Sequence, residues 1–269
     1  MNKTGCVSFD LDGTTFRWQL CHALIVGLVD AGLIQRVALD RTNQALTAYR
    51  KRQGEFGAFE HMLVQTLFEE ERLNGVLMSD VEFVSEQIAA ERGDHVHIFT
   101  RELNEAAHEL GYLCAIITGS PAIAVKPFAK KYGIPIVYGT ELPNDGARFT
   151  SGKLNHWLGR KHVAIQQIAK RHGIDLARSV AIGDSITDAA MLKVVGHPIA
   201  FQPNPELEAE AQQHAWPVVT EKKIIHVFGW CDDGVNAGML REEYLEHALP
   251  QDLASVMRER LRKTGCYRR

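Results

Sequence analysis

Two aspartates that stand two residues apart, Asp10 and Asp12, follow a short apolar run, Cys6-Val7-Ser8-Phe9. The run predicts a buried strand, and since strand side chains alternate in direction, residues two apart leave the same face. Two carboxylates that close repel each other in a poorly solvated site unless a hard cation lies between them or one of them is protonated. A bare Asp-x-Asp is usually a solvated turn, but polar residues further along the chain favour a chemical site.

Polar groups that suit a phosphate or a metal follow two further predicted strands. Thr118 and Gly119 come directly after the apolar run Leu113 to Ile117, and Asp184 comes after another such run. Lys161 opens the helix that precedes this last strand. Ligands of parallel sheets bind at the carboxyl ends of the strands, so these groups are expected on one rim. Acids from two strands can hold Mg²⁺ through oxygen, whereas a hydroxyl, a loop amide and an ammonium group suit phosphate.

Asp188 lies one helical turn beyond Asp184 and is expected on the same side of the site. There it would orient either the water shell of the metal or Lys161. The helix dipole alone also favours an acid near a helix N-terminus, so a purely structural role for Asp188 stays open.

The apolar runs define the predicted fold. Predicted helices separate most of these runs, which indicates a parallel sheet covered on both faces. By contrast, residues 17–92 contain helical patterns and no strand. We therefore predict an α/β fold, with a Rossmann-like core at 1–16 and 93–220, an inserted all-helical cap at 17–92, and an extension of unassigned role at 221–269. The strands are expected at Cys6 to Phe9, Leu113 to Ile117, Ile136 to Tyr138, Val180 to Ile182, Pro198 to Phe201 and Pro217 to Val219.

Helix periodicity and capping residues predict the boundaries of the helices. Ser79 is the expected N-cap of one helix, Pro121 the first residue of another, and the extension is expected to be helix plus tail. A short hairpin is expected at Ala147 to Thr150. The helices before this point are expected at Trp18 to Ala31, Val37 to Lys51, Phe59 to Leu73, Asp80 to Arg92 and His95 to Leu110.

Composition excludes several classes of protein. The 269 residues are 45% hydrophobic and carry a formal net charge of −3, which gives no long-range attraction for nucleic acid or anionic lipid. The longest apolar stretch, Leu20 to Ile34, is shorter than the about 20 residues that a membrane span needs, and no secretory signal is apparent. Five cysteines without close or metal-like spacing predict reduced thiols and a cytoplasmic location.

Together the motifs resemble those of the haloacid dehalogenase superfamily. Phe9 to Thr15 fits its first motif, Ile117 to Ser120 its second, Lys161 its third and Gly183 to Asp188 its fourth. The resemblance covers about 1–15 and 95–220. A helical insert directly after the first motif resembles the phosphoserine-phosphatase-like branch.

This resemblance implies a Mg²⁺-dependent phosphatase that acts on a small phosphorylated metabolite through an aspartyl-phosphate. Asp10 would be the nucleophile, and Asp12 would be the general acid and base. Mg²⁺ would be held by Asp10, the main-chain carbonyl of Asp12, and Asp184. The phosphate group would lie on Thr118, Gly119 and Lys161, with Asp188 behind them.

The insert is expected to read the leaving group of the substrate, with Trp18, Gln19 and Arg50 as candidate contacts. Gln19 stands where phosphoserine phosphatases carry a glutamate, and Thr187 stands where they carry an asparagine. The leaving group is therefore open. We also expect the insert, attached at two points, to close over the core when substrate binds.

Three other functions share parts of this pattern. A phosphomutase would use the same core residues and return the phosphoryl group to its substrate. A receiver-type signalling domain groups similar residues but is about half as long and lacks the insert. A non-catalytic phosphate-binding protein would be expected to lack one of the acids or Lys161, and all are present. The sequence makes no prediction of oligomeric state.

Overall fold

A parallel sheet lies at the centre of the computed structural model, which describes residues 4–51, 62–63, 65–67, 73–221, 225–228 and 242–265. Within these residues the sheet has seven strands in the order β3-β2-β1-β4-β5-β6-β7. Neighbouring strands are parallel except for β6 and β7, which are antiparallel. The strands are β1 Cys6–Phe9, β2 Leu113–Pro121, β3 Ile136–Thr140, β4 Val180–Gly183, β5 His197–Phe201, β6 Val218–Glu221 and β7 Ile225–Phe228.

Helices flank the sheet, and between β1 and β2 the described residues form helices and turns with no strand of the sheet. The predicted fold class, an α/β core with an inserted helical cap, is therefore confirmed. The predicted helix at Phe59 to Leu73 falls mostly outside the described residues. The helices are α1 Leu20–Asp30, α2 Val37–Arg50, α3 Met78–Arg92, α4 Ile98–Glu109, α5 Ala122–Lys131, α6 Lys161–His172, α7 Ala189–Leu192, α8 Pro205–Gln213, α9 Glu242–Ala248 and α10 Gln251–Lys263.

The sheet is buried on both faces. Consecutive residues of its central strands pack into two different hydrophobic clusters, one on each face. Phe9 and Ile116 join a large cluster that also contains the insert residue Leu24. Ala115 and Ile117, which alternate with Ile116, join a second cluster on the other face. Alternation of side chains thus explains why the strands read as continuous apolar runs.

Several element ends differ from the sequence prediction. Strand β2 continues past its predicted end at Ile117, and Pro121 is the N-cap of α5 instead of its first residue. Helix α3 begins at Met78, one residue before the predicted cap Ser79, and its N-cap Leu77 makes no side-chain cap. Strand β7 was not predicted. The shift of one residue at α3 is within the usual spread of helix ends.

The insert has a third attachment to the core, which the sequence did not predict. It involves residues 143–150, which we call the strap. The two ends of the strap are joined by a hydrogen bond of 2.9 Å from Thr150 N–H to Pro143 O. Phe149 N–H donates to Val76 O over 3.0 Å, and Met78 N–H donates to Ala147 O over 2.9 Å. The predicted hairpin is thus present as isolated bridges. The strap adds a hydrogen-bonded contact to the two chain connections that join insert and core.

The two chain connections between core and insert meet at one buried carboxylate, Glu221 at the end of β6. The Nη2 of Arg17, in the first connection, donates to Glu221 Oε1 over 2.5 Å. The amides of Ile98 and Phe99, which open α4, donate to the same carboxylate over 3.0 and 2.8 Å. His97 Nδ1 lies 3.4 Å from Glu221 Oε1. Glu221 therefore caps α4 and ties it to Arg17.

We expect Glu221→Gln to lower the free energy of unfolding by about 1–3 kcal/mol, because charge-assisted hydrogen bonds lose their charge. Burial raises the pKa of Glu221, but hydrogen bonds from His97 and the α4 amides outweigh it and hold the pKa below its ordinary value of 4.5. The folded state thus binds the proton more weakly than the unfolded state. The stability difference between the two proteins should be complete above about pH 4.5 and disappear as the pH falls through the lowered pKa.

Urea unfolding of wild type and variant between acidic and neutral pH measures this difference. Glu91→Gln, on the exposed surface of α3, is the matched control and should unfold like wild type at every pH. A pH-independent difference between wild type and Glu221→Gln would show that the charge of Glu221 is not responsible.

The extension after β6 packs against the core. Helix α10 buries Leu253, Met257 and Leu261, and its Arg260 forms ion pairs with Glu102, Glu105 and Glu109 of α4. The division into core, cap and extension at the predicted residue numbers stays a prediction. Among the described helices, none has the length and apolar character needed to cross a membrane.

Candidate active site

Strands β1 and β4 end at nearly the same level, and β2 continues beyond them. Phe9 at the end of β1 is paired with Ile116 of β2 and with Ile182 of β4. Asp10, directly after β1, and Asp184, directly after β4, therefore lie close together at one edge of the sheet. This is the rim that the sequence predicted.

Lys161 is buried between two carboxylates of this rim. Its Nζ lies 2.6 Å from Asp10 Oδ1 and 2.5 Å from Asp188 Oδ1. The lysine is the first residue of α6, as predicted, so the start of that helix fixes its position. Burial lowers the pKa of Lys161, but the charges of Asp10 and Asp188 outweigh it and raise the pKa. Lys161 is thus a fixed cation.

Asp188 has both of the roles that the sequence left open. It contacts Lys161, and it also forms a capping box with Ser185, whose amide donates to Asp188 Oδ2 over 3.1 Å. Because Asp188 is completely buried, the capping box holds its other oxygen towards Lys161. These contacts of Asp188 fit the predicted role of orienting Lys161.

Three carboxylates could hold a metal ion. Oxygen atoms of Asp10, Asp184 and Asp188 all lie within 4.8 Å of one another. Gly13 makes room for them, because its φ is +83° and a Cβ there would collide with the carboxylate of Asp184. An all-oxygen set of this kind suits a hard divalent cation such as Mg²⁺. The predicted ligands are Asp10, Asp184 and the main-chain carbonyl of Asp12, and the carboxylates of Asp10 and Asp184 lie close enough together to fit the predicted metal, with Asp188 beside them.

Burial raises the pKa of Asp10 to about 8, although the neighbouring Lys161 acts in the opposite direction. The carboxylate is only 5% exposed, so water does little to stabilise its charge. A second cation beside Asp10 would favour the charged form that a nucleophile or a metal ligand needs.

The carboxylate of Asp12 lies outside this group and is held by hydrogen bonds from the core and the insert. Leu20 N–H, at the start of α1, donates to Asp12 Oδ1 over 2.5 Å, and Ser120 Oγ donates to Asp12 Oδ2 over 2.5 Å. Burial raises the pKa of Asp12, and the hydrogen bond from Ser120 opposes the rise. A carboxyl group with a raised pKa in a fixed orientation is suited to donating a proton.

Sequence reasoning missed Ser120 and the Leu20 amide. Ser120 stands in the second motif but was interpreted as part of a turn, whereas it lies on β2, one strand away from Asp12. The signal was its spacing of two from Thr118, which places both hydroxyls on one face of a strand. The contact of Leu20 depends on how the insert folds back, which no local pattern records.

The predicted phosphate-binding residues lie on the same rim. Thr118 is buried, and its Oγ1 is 3.5 Å from Asp12 Oδ2 and accepts the Ser120 amide over 3.1 Å. A Cβ at Gly119 would press on the side chain of Leu158, so the backbone there has little free space on that side. Gly119 O accepts the Thr140 hydroxyl over 2.6 Å. The structure thus gathers Thr118 with Asp12, and Lys161 with Asp10.

The predicted insert contacts lie at the start of α1 or pack against it. Gln19 is the N-cap of α1 and directly precedes Leu20, which binds Asp12. The guanidinium carbon of Arg50 lies 5.9 Å from the ring centre of Trp18, and the two are therefore brought together as one cationic and aromatic surface. His22 joins them through a 3.4 Å hydrogen bond from Trp18 Nε1. Burial, together with Arg92 and Arg50, lowers the pKa of His22.

Comparison with known proteins supports the family resemblance that these motifs indicated. A sequence model of the family described as haloacid dehalogenase-like hydrolase matches residues 7–193. The histidinol-phosphatase of Neisseria meningitidis is 26% identical over 234 residues, which cover 80% of this chain and 97% of that protein. A phosphoserine phosphatase of Mycobacterium tuberculosis is 30% identical over 122 residues, 44% of this chain and only 39% of its own length.

A solved structure shares the fold. A protein with unknown function from Bordetella pertussis matches with a TM-score of 0.65 and 20% identity, over 81% of this chain and 98% of that one.

Proposed function

The chain belongs to the haloacid dehalogenase-like hydrolase family, and on this basis we propose that it is a phosphatase for phosphate monoesters of small metabolites. The observation that carries the proposal is the buried pairing of Lys161 with Asp10. A carboxylate that attacks an anionic phosphate needs nearby positive charge to lower the electrostatic barrier, and Lys161 provides part of it. Asp184, close to Asp10, would help to hold a metal ion that supplies the rest.

The substrate class follows from the relatives. One is named a phosphoserine phosphatase and another a histidinol-phosphatase, so both names refer to small phosphate monoesters. Because the first alignment covers well under half of that protein, it favours neither leaving group. We propose that Trp18, Gln19 and Arg50 of the insert contact the leaving group. Trp18 and Gln19 directly precede Leu20, which holds Asp12, and Arg50 lies over Trp18.

In the proposed mechanism, Asp10 attacks the phosphorus atom and the bond from phosphorus to the ester oxygen breaks. An aspartyl-phosphate forms on Asp10, and Asp12 donates its proton to the departing alkoxide. Asp12 then takes a proton from water, whose oxygen attacks the phosphorus and releases phosphate and the free Asp10. Thr118, Gly119 and Lys161 would bind the phosphoryl oxygens throughout, as a hydroxyl, an amide and an ammonium group can.

We propose Mg²⁺ as the metal, held by Asp10, Asp184 and the main-chain carbonyl of Asp12, with Asp188 beside them. When bound, the ion would neutralise charge on the phosphoryl group and on Asp10. The proposed partners are a metal ion and a small phosphate ester, with no nucleic acid or membrane. The free buried thiols of Cys6, Cys21 and Cys114 support a reducing, cytoplasmic setting.

We expect hydrolysis of 4-nitrophenyl phosphate to require Mg²⁺, to stop with EDTA, and to be inhibited competitively by Ca²⁺, whose looser coordination would misplace Asp10. Binding should also be visible without substrate, as a Mg²⁺-dependent rise in melting temperature. Asp184→Asn should lose this rise, whereas Asp30→Asn, exposed at the end of α1, should keep it. Full activity in EDTA, or activity restored by Zn²⁺ and not by Mg²⁺, would contradict the proposal.

A further inference from the structure

A cavity of about 240 Å³ lies away from the catalytic rim, where α3 of the insert, α5 of the core and the strap meet. Its floor is apolar and includes Met78, Ile123, Leu142 and Phe149. None of the residues proposed for catalysis lines it. We call it the junction cavity. Its volume is below the about 300–1,000 Å³ of pockets for drug-sized ligands, so it suits a small metabolite.

Two rows of opposite charge border the junction cavity. Glu82 and Glu86 stand one turn apart on α3, and Lys126 and Lys130 stand one turn apart on α5, all four exposed at the mouth of the cavity. Glu141, also exposed, adds a third carboxylate to the lining. Residues four apart share one face of a helix, so each row presents two like charges to the same space.

These two rows are not paired with each other. Within the part of the chain that the structure describes, none of the four side chains takes part in an ion pair. This separation contrasts with α4 and α10, where Arg260 closes directly onto three glutamates. A ligand with one positive and one negative group could form ion pairs with both rows. An ion of one sign would leave the row of the same sign without a counter-charge.

We propose that the junction cavity binds an apolar α-amino acid as a zwitterion. Its ammonium group would lie towards Glu82 and Glu86, and its carboxylate towards Lys126 and Lys130. Its aliphatic side chain would cover the half-buried Met78 and Ile123 and remove their remaining surface from water. This site is independent of the proposed phosphatase activity.

Such a ligand would connect the insert, the strap and the core. Phe149 of the floor belongs to the strap, whose backbone is bound to residues 75–78 of the insert. Thr140 also lines the cavity, and its hydroxyl donates to Gly119 O in the second motif. A molecule in the cavity binds the folded arrangement of all three parts and stabilises it by mass action.

Isothermal titration of the full chain with L-leucine tests the proposal, with 3-methylbutylamine and 4-methylpentanoate as analogues that each keep one charge. We expect L-leucine to bind at least about tenfold more tightly than either analogue, because only it completes both rows. Glu86→Gln and Lys130→Gln should each weaken binding of L-leucine at least about fivefold. Glu91→Gln, on α3 but outside the cavity, should not change it.

Hydrogen exchange locates the bound molecule independently of activity. L-Leucine should slow exchange at the amides of Met78 and Phe149, which donate the hydrogen bonds between insert and strap. Absence of binding up to about 10 mM L-leucine would overturn the proposal. So would equal binding of the two analogues, or binding that neither cavity variant weakens, since the molecule would then lie elsewhere. No phosphate ester is used, so failure here leaves the phosphatase proposal untouched.

Discussion

Asp10→Asn should lower turnover of an aryl phosphate by at least about 10³-fold, the largest effect that we expect from one substitution. An amide is a poor nucleophile and a poor ligand for a hard cation. The fold should persist, because Lys161 keeps its ion pair with Asp188 when Asp10 becomes neutral. Steady-state kinetics and circular dichroism of the purified variant measure the two expectations together.

Trapping the phosphoryl group separates the role of Asp10 from a general loss of activity. Acid quenching of wild type with a ³²P-labelled ester should leave label on the protein, and Asp10→Asn should carry none. Asp30→Asn is a matched control on the surface and should behave like wild type. Near-normal turnover in a folded Asp10→Asn protein would refute Asp10 as the nucleophile.

Lys161→Met should lower both activity and stability, because methionine keeps the length of the side chain and removes the charge. Two buried carboxylates, Asp10 and Asp188, would lose their shared cation. Breaking a buried ion pair from one side costs about 3–5 kcal/mol, and loss of a positioned charge at the phosphate costs about 10²–10³-fold in turnover. Urea unfolding and steady-state kinetics measure the two effects.

A double-mutant comparison tests the reason for the instability. Lys161→Met with Asp188→Asn should be more stable than Lys161→Met alone, because the second change removes one unpaired charge. Lys170→Met, on the exposed side of the same helix, should be neutral in both assays. If Lys161→Met unfolds like wild type, the lysine does not neutralise the buried acids.

The rim of the candidate active site could be predicted because several of its residues come just after the ends of strands. Asp10 and Asp184 come directly after apolar runs, and parallel strands bring their carboxyl ends to one edge. The position of Asp188 could be predicted from its helical spacing to Asp184, and that of Lys161 from its place at the start of a helix. Such local rules predicted the fold class and brought together the acids and the lysine.

The remaining contacts join parts of the chain that no local rule relates. Glu221 binds Arg17 and the start of α4, and its identity as a buried cap depends on the path of β6. Ser120 looked like a turn residue, since β2 continues past an irregularity in its pairing with β3. The charges of the junction cavity face each other only because α3 and α5 pack together.

The strap has a consequence for how far the insert can be treated as an exchangeable module. Met78 and Val76 use backbone groups that pair with Ala147 and Phe149, about 70 residues later in the chain. During synthesis, the backbone groups of Val76 and Met78 have no partners until residues 147–149 have been made. An insert transplanted onto a related core would lack those partners unless residues 143–150 were transplanted with it. The natural unit of exchange is therefore discontinuous, and it includes a piece of the core.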